Sequence, residues 1–169
     1  MNGTKYIAQT NMASWVEYAI IHRHMAPDER RLARRQHAWQ LQSADAVDSL
    51  VGYLLEAPYQ GAALPPLVLS LTARSPENGR YFYGVSEQAR MVVHRNATID
   101  AVVHEIVHHH QWHHWPHLRD NNGYPLAGKR WHTRAFVPVR AHFSQAAAAW
   151  ADEVCYVDMW SDLQEVPGD

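Results

Sequence analysis

Residues 101–110 read AVVHEIVHHH and contain the pattern His-Glu-x-x-His within an apolar segment. At about 100° of rotation per helical residue, His104 and His108 lie on one face, one turn apart, so both imidazoles can reach the same metal ion. Glu105 lies beside them, where a carboxylate can hold a metal-bound water and take its proton. Since catalytic zinc has three protein ligands and an open position, the pattern predicts a zinc site that needs one further ligand.

The surroundings of the pattern favour a buried metal-binding helix over a chance match. Thirteen of the 169 residues are histidine, so an incidental His-x-x-x-His pair is common in such a chain. The valines and the isoleucine of the segment, however, provide an apolar face for packing. Thr98 with Asp100 indicates a capped start, and Pro116 indicates a stop. A glutamate and two histidines buried together need polar partners, and a metal ion satisfies them directly.

Length and composition indicate one domain over residues 1–169, because 47% hydrophobic content supports a substantial core. A formal charge of −2 describes a balanced surface and leaves nucleic-acid binding undecided. The single cysteine, Cys155, excludes an internal disulfide framework and a sulfur-rich zinc site. No signal sequence is recognisable, and no stretch approaches the roughly 18 apolar residues of a membrane span. We therefore expect a cytoplasmic protein with no membrane partner.

The order of predicted elements indicates an α+β fold. Three N-terminal helices are predicted, over 14–25, over 28–42 and after a cap at Ser43. Three short strands follow, over 67–72, 80–84 and 89–94. Because they directly precede the motif helix, we expect a small three-stranded sheet packed on the metal-binding helix.

Two C-terminal helices are predicted after an irregular loop over 117–130. The first runs from Trp131 to Phe143, with Pro138 in its first turns. The second runs from about Ser144 to Leu163 and has its own apolar stripe.

Three residues compete for the third ligand position. His114 lies ten positions after His104, as in the metzincin pattern, but Gln111 stands where that pattern has the glycine that ends the helix. Glu153 is a candidate because some zincins take a glutamate from a later helix. His132 opens a predicted helix after the loop, and a ligand on a second helix can meet the first helix at its metal face. We favour His132.

With these residues in place, the chain resembles the SprT-like zinc metallopeptidases over residues 67–143. Their pattern is a strand, a His-Glu-x-x-His helix, a polar loop and then His-x-x-x-aromatic. The matching segments are 91–93, 104–108 and 132–136. The resemblance implies a zincin-like fold, with zinc on His104, His108 and His132 and with Glu105 as the catalytic base. It also implies hydrolysis of peptide bonds in a protein or peptide substrate.

Other assignments remain open from the sequence. Tyr83, Tyr124 and Arg134 are candidates for a donor to the oxyanion. A non-catalytic, zinc-stabilised binding module is the alternative function, in which a histidine between 109 and 117 closes the site. A third hypothesis is a nucleic-acid-binding module that uses the arginines of segment 30–35. This hypothesis predicts salt-dependent binding.

Overall fold

The motif helix forms as the sequence predicts and lies at the centre of the fold. The computed structural model describes residues 21–73, 75–84, 88–126 and 130–164, with side chains as far as residue 154. The first described elements are α1 (Pro27–Ala38), α2 (Ala44–Leu55), β1 (Val68–Thr72), β2 (Arg80–Phe82) and β3 (Arg90–His94). The motif helix α3 (Ile99–His114), a short 3-10 turn (Pro116–Leu118) and the long helix α4 (Phe136–Gln164) follow.

The three described strands form one sheet in the order β1-β3-β2. The central strand β3 is parallel to β1, with Met91 opposite Leu69, and antiparallel to β2, with Met91 opposite Tyr81. Met91 and Tyr81 are fully buried, and both β2 and β3 contact α3. The α+β class and the small sheet packed on the motif helix are therefore confirmed.

Helix α3 is buried on every side rather than along one stripe. Fourteen consecutive residues, from Ile99 to Trp112, are buried. Helices α1, α2 and α4 contact α3, as do strands β2 and β3. A helix that is enclosed all round belongs to the core, so the polar side chains of the motif lie inside the protein.

Helix α1 ends four residues earlier than the sequence predicted. Its last residue is Ala38, and Trp39 is extended, with φ −91° and ψ 101°. The Trp39 carbonyl accepts a hydrogen bond from the Ile99 amide at 3.0 Å, and Gln40 forms a bridge with Thr98. This pairing of Trp39 and Gln40 with the start of α3 therefore ends α1. The predicted cap at Ser43 is confirmed, because its hydroxyl accepts from the Ala46 amide at 3.1 Å.

The prediction of two C-terminal helices is wrong. Residues 136–164 form one helix, α4, and residues 131–135 form turns before it. Ser144 was predicted to begin the second helix, but Phe143 and Ala147 are both fully buried, so the apolar stripe continues through it. Pro138 is the third residue of α4, where its missing N–H removes no helical hydrogen bond.

A buried ion pair joins the start of α3 to α4. Asp100 was predicted to help cap α3, but Thr98 does this alone, with its hydroxyl accepting from the Ala101 amide. Asp100 instead accepts a hydrogen bond from Arg140 on α4 and contacts the His37 ring of α1. Burial raises the pKa of Asp100, but the charge of Arg140 and the contact with His37 outweigh it and hold that pKa below its usual value.

Most of the predicted helix over 14–25 lies outside the described residues. In the part that is described, residues 21–24 are helical. No helix in the described part of the chain has the length and apolarity needed to cross a membrane.

Substitution of Arg140 by Met should destabilise the protein by about 3–5 kcal/mol, because it leaves the Asp100 carboxylate buried without its cation. Arg31→Met is the matched control, since Arg31 pairs with Asp28 at an exposed position. The control should change the free energy of unfolding by less than about 1 kcal/mol. Urea denaturation measures both changes, and equal losses would contradict a role for the buried pair.

Candidate metal centre

Three imidazoles converge at one point inside the protein. The Nε2 atoms of His104 and His108 are 3.0 Å apart, and His132 Nε2 lies 3.1 Å from each of them. The three side chains are nearly closed to solvent, with exposed fractions of 5%, 2% and 3%. In the part of the chain that the structure describes, this is the one group of three metal-ligating side chains close enough to share an ion.

Two segments supply these ligands. His104 and His108 come from adjacent turns of α3, as the spacing predicted. His132 was predicted to open a helix but lies in the turns before α4, between two fully buried aromatic residues. Trp131 is anchored by a hydrogen bond from its indole N–H to the Leu126 carbonyl at 3.0 Å. Since Phe136 begins α4, the histidine is held from both sides.

Phe136 packs against the site as an apolar side chain. The centroid of its ring lies 5.2 Å from that of His104, 5.6 Å from that of His108 and 5.4 Å from that of His132. One aromatic ring thus contacts all three imidazoles. This contact fixes the ring positions by packing and keeps water from that side of the cluster.

The electrostatics of the cluster favour neutral imidazoles. Burial and the neighbouring histidines lower the pKa of His104 and His108 well below the usual value. A neutral imidazole carries one N–H and one lone pair, and the lone pair is what a metal ion binds. The cluster therefore presents ligands already in the form that a metal requires.

Gln111 determines which nitrogen of His108 carries the proton. Its amide N–H donates to the Trp131 carbonyl at 2.7 Å, so its amide oxygen must face His108 Nδ1, 2.8 Å away. Because an amide oxygen only accepts, His108 Nδ1 is protonated and Nε2 presents its lone pair to the cluster. Gln111 also ties the second ligand to the residue just before the third, and it is completely buried.

The donor set fits a zinc ion. Tetrahedral zinc at its usual distance from imidazole separates two ligand nitrogens by about 3.3 Å. The observed separations of 3.0–3.1 Å lie close to this value. Three nitrogens on one side of an ion leave a fourth position open, as catalytic zinc sites do.

Glu105 follows the first candidate ligand, His104, in α3 and is buried like it. Its side chain is 5% exposed, and no hydrogen bond or ion pair to a described residue holds its carboxylate. Burial alone raises the pKa of Glu105 to about 8. A buried carboxylate without its own cation complements a positive charge, such as an ion held by His104 and His108 of the same helix.

The two rival ligands lie elsewhere. His114 is exposed, and its Nε2 donates to the Ala63 carbonyl at 2.9 Å. Glu153 is an exposed residue of α4. Neither belongs to the group of metal-ligating side chains, whereas the favoured candidate, His132, does.

The histidines that follow the motif divide into two groups. His113, His114 and His117 are exposed. His109 and His110 are buried. His109 joins β2 to the loop before β1, because its Nδ1 faces the Tyr81 hydroxyl at 2.7 Å and its Nε2 faces the Pro65 carbonyl at 2.6 Å.

The three candidates for an oxyanion donor differ in burial. Tyr124 and Arg134 are exposed, whereas Tyr83 is 1% exposed. The ring of Tyr83 packs between Trp112 and Trp131, and its hydroxyl has no hydrogen-bond partner among the described residues. Burial and the charges of Tyr81 and Glu105 raise the pKa of Tyr83, which keeps its hydroxyl protonated as a donor.

Comparison with protein-family models, curated proteins and solved structures finds no match to this chain.

Replacement of His132 by Ala should weaken zinc binding by at least about 100-fold, since loss of a ligand costs more than loss of its hydrogen-bond partner. Glu153→Ala and His114→Ala should retain wild-type affinity, because neither side chain belongs to the cluster. Competition with a chelating zinc indicator measures all three variants. Zinc loss in either control, or its retention in the His132 variant, would contradict the assignment.

Replacement of Gln111 by Ala should lower zinc affinity by about 10–100-fold, because it frees the orientation of His108 and the Trp131 carbonyl. Gln42→Ala is the matched control, since the exposed Gln42 amide donates to the Gln40 carbonyl far from the cluster. The same indicator titration compares the two. Equal affinities would show that packing alone orients the ligand.

Proposed function

We propose that this chain is a zinc-dependent metallopeptidase of the SprT-like, zincin type that hydrolyses peptide bonds. The observation that carries the proposal is Glu105, a buried carboxylate with no described partner on the helix that carries two of the three converging imidazoles. A site built only to hold the fold together would be closed by a fourth protein ligand. It would have no use for an unpaired base.

In this proposal, His104, His108 and His132 hold the ion by their Nε2 atoms. Bound zinc would supply a Lewis acid that polarises the scissile carbonyl and acidifies a water molecule at its open position. The chain itself supplies rigid ligands, because Phe136 packs against all three rings and Gln111 fixes the tautomer of His108.

Glu105 acts as the general base. Its carboxylate accepts the proton of the attacking water and then delivers it to the amide nitrogen as the C–N bond breaks. A cation beside the carboxylate favours its ionised form, since opposite charge lowers a carboxyl pKa that burial has raised. Ionised Glu105 is the form that accepts a proton.

Tyr83 is the candidate that we favour for the oxyanion donor. Its hydroxyl is buried and has no partner among the described residues, and it is close enough to Glu105 for that charge to raise its pKa. A donor that is already desolvated does not have to give up a water molecule when charge develops on the substrate.

A second candidate function is a non-catalytic, zinc-stabilised binding module. The burial of the whole site favours it, since Glu105 and each of the three histidines are at most 5% exposed. In such a module the ion would only tie α3 to the segment before α4, and hydrolysis would be absent whatever residue occupied position 105.

Replacement of Glu105 by Gln should retain zinc and lower peptide hydrolysis by about 100-fold or more, because the amide cannot take a proton. Zinc content is measured by elemental analysis, and turnover is measured on denatured casein and on a library of fluorogenic peptides. Glu153→Gln is the matched control at an exposed position of α4 and should keep full activity.

Two results would overturn the peptidase proposal. One is a Glu105→Gln variant that hydrolyses substrate at the wild-type rate. The other is wild-type protein that carries a full complement of zinc and cleaves nothing in either assay, which would support the binding module.

A further inference from the structure

Gly79, the residue before β2, lies directly against the side chain of Glu105. A Cβ atom placed on Gly79 would lie 2.5 Å from Cγ of Glu105, 2.8 Å from its Oε1 and 2.9 Å from its Cδ. Favourable contacts between non-bonded carbon atoms are about 3.5–4.0 Å long. An alanine at position 79 would therefore overlap most of the glutamate side chain.

Gly61 and Gly123 differ from Gly79 in the reason for which glycine is needed. Gly61 and Gly123 have positive φ angles, 77° and 81°, which other residue types rarely adopt. An added Cβ on these residues or on Gly52 meets nothing within 4 Å. Gly79 has no positive φ, so its backbone conformation does not require glycine. What requires it is the close approach of Glu105.

The turn that carries Gly79 is fixed on both sides of this contact. On one side, the Pro76 carbonyl accepts a hydrogen bond at 2.9 Å from the amide of Thr98, the residue that caps α3. On the other side, Arg80 begins β2 and pairs with Val92 of β3. The turn is thus bonded to the start of the helix that carries Glu105, and it cannot retreat without breaking these pairings.

Glu105 has no comparable anchor of its own. No described residue forms a hydrogen bond or ion pair with its carboxylate, although the side chain is buried. The ligand His108, in contrast, is oriented by a hydrogen bond to Gln111. Packing against the Gly79 backbone is therefore a contact that limits where the carboxylate can lie.

We propose that Gly79 is the positioning residue for the general base, and this inference rests on the proposed peptidase function. The missing side chain lets the turn before β2 lie against Glu105 and hold its carboxylate in one place beside the three imidazoles. A displacement of about 1 Å in a catalytic group can cost about 100-fold in rate. A single methyl group at position 79 is large enough to force such a displacement.

The first test compares Gly79→Ala with Gly52→Ala, a control in which the new methyl group meets no neighbour. Both variants should bind one zinc ion per chain. The Gly79 variant should lose about 10–100-fold in kcat with KM changed by less than about twofold, because the ligands stay while the base moves. The control should match the wild type in both constants.

A spectroscopic readout separates positioning from general damage. Cobalt(II) substituted for zinc gives visible absorption bands that respond to the coordination sphere, including a water molecule held by the base. Gly79→Ala should change these bands, and Gly52→Ala should not. An unchanged cobalt spectrum for Gly79→Ala would overturn the inference.

A double-mutant cycle tests the contact itself without any substrate. Gly79→Ala should lower the Tm of the wild type but cause little loss in a Glu105→Ala background, where the overlapping atoms are absent. An equal loss in both backgrounds would overturn the inference. If the wild type shows no peptidase activity, the proposed function fails, while the cobalt spectrum and the cycle still decide the role of Gly79.

Discussion

The structure depends on the burial of three imidazoles whose Nε2 atoms converge on one point. Nitrogens 3.0–3.1 Å apart that each present a lone pair repel unless a cation or a shared proton lies among them. Burial lowers the pKa of His104 and His108 and so disfavours an extra proton. A bound metal ion would resolve the conflict. A metal ion bound there would also constrain the fold, since it would join α3 to the segment before α4.

The supports of this site act at both ends of α3. At its start, Asp100 and Arg140 form a buried ion pair that holds α3 against α4. Toward its end, Gln111 joins His108 to the Trp131 carbonyl, which fixes the polypeptide next to His132. Between them, the turn that carries Gly79 is bonded to the cap of α3. The three imidazoles and Glu105 are thus held by different contacts, which allows each to be perturbed separately.

Local patterns predicted the parts of this site that a single helix encodes. Helical periodicity predicts His104, Glu105 and His108. His132 was chosen because it was predicted to open a second helix after the loop. Non-local contacts account for what was missed. Pairing of Trp39 with Ile99 shortens α1, and a continuous apolar stripe through Ser144 merges two predicted helices into one. Gln111 was noted only as a missing glycine, although its position three residues after His108 places both on one helical face.

The most direct test of the metal centre is X-ray absorption at the zinc edge of the purified protein. A catalytic site predicts three imidazole nitrogens and one water oxygen at about 2.0–2.1 Å from the ion. Purified protein that takes up no zinc would contradict the metal centre altogether. A spectrum with four imidazole nitrogens would contradict its open position and leave a purely structural ion.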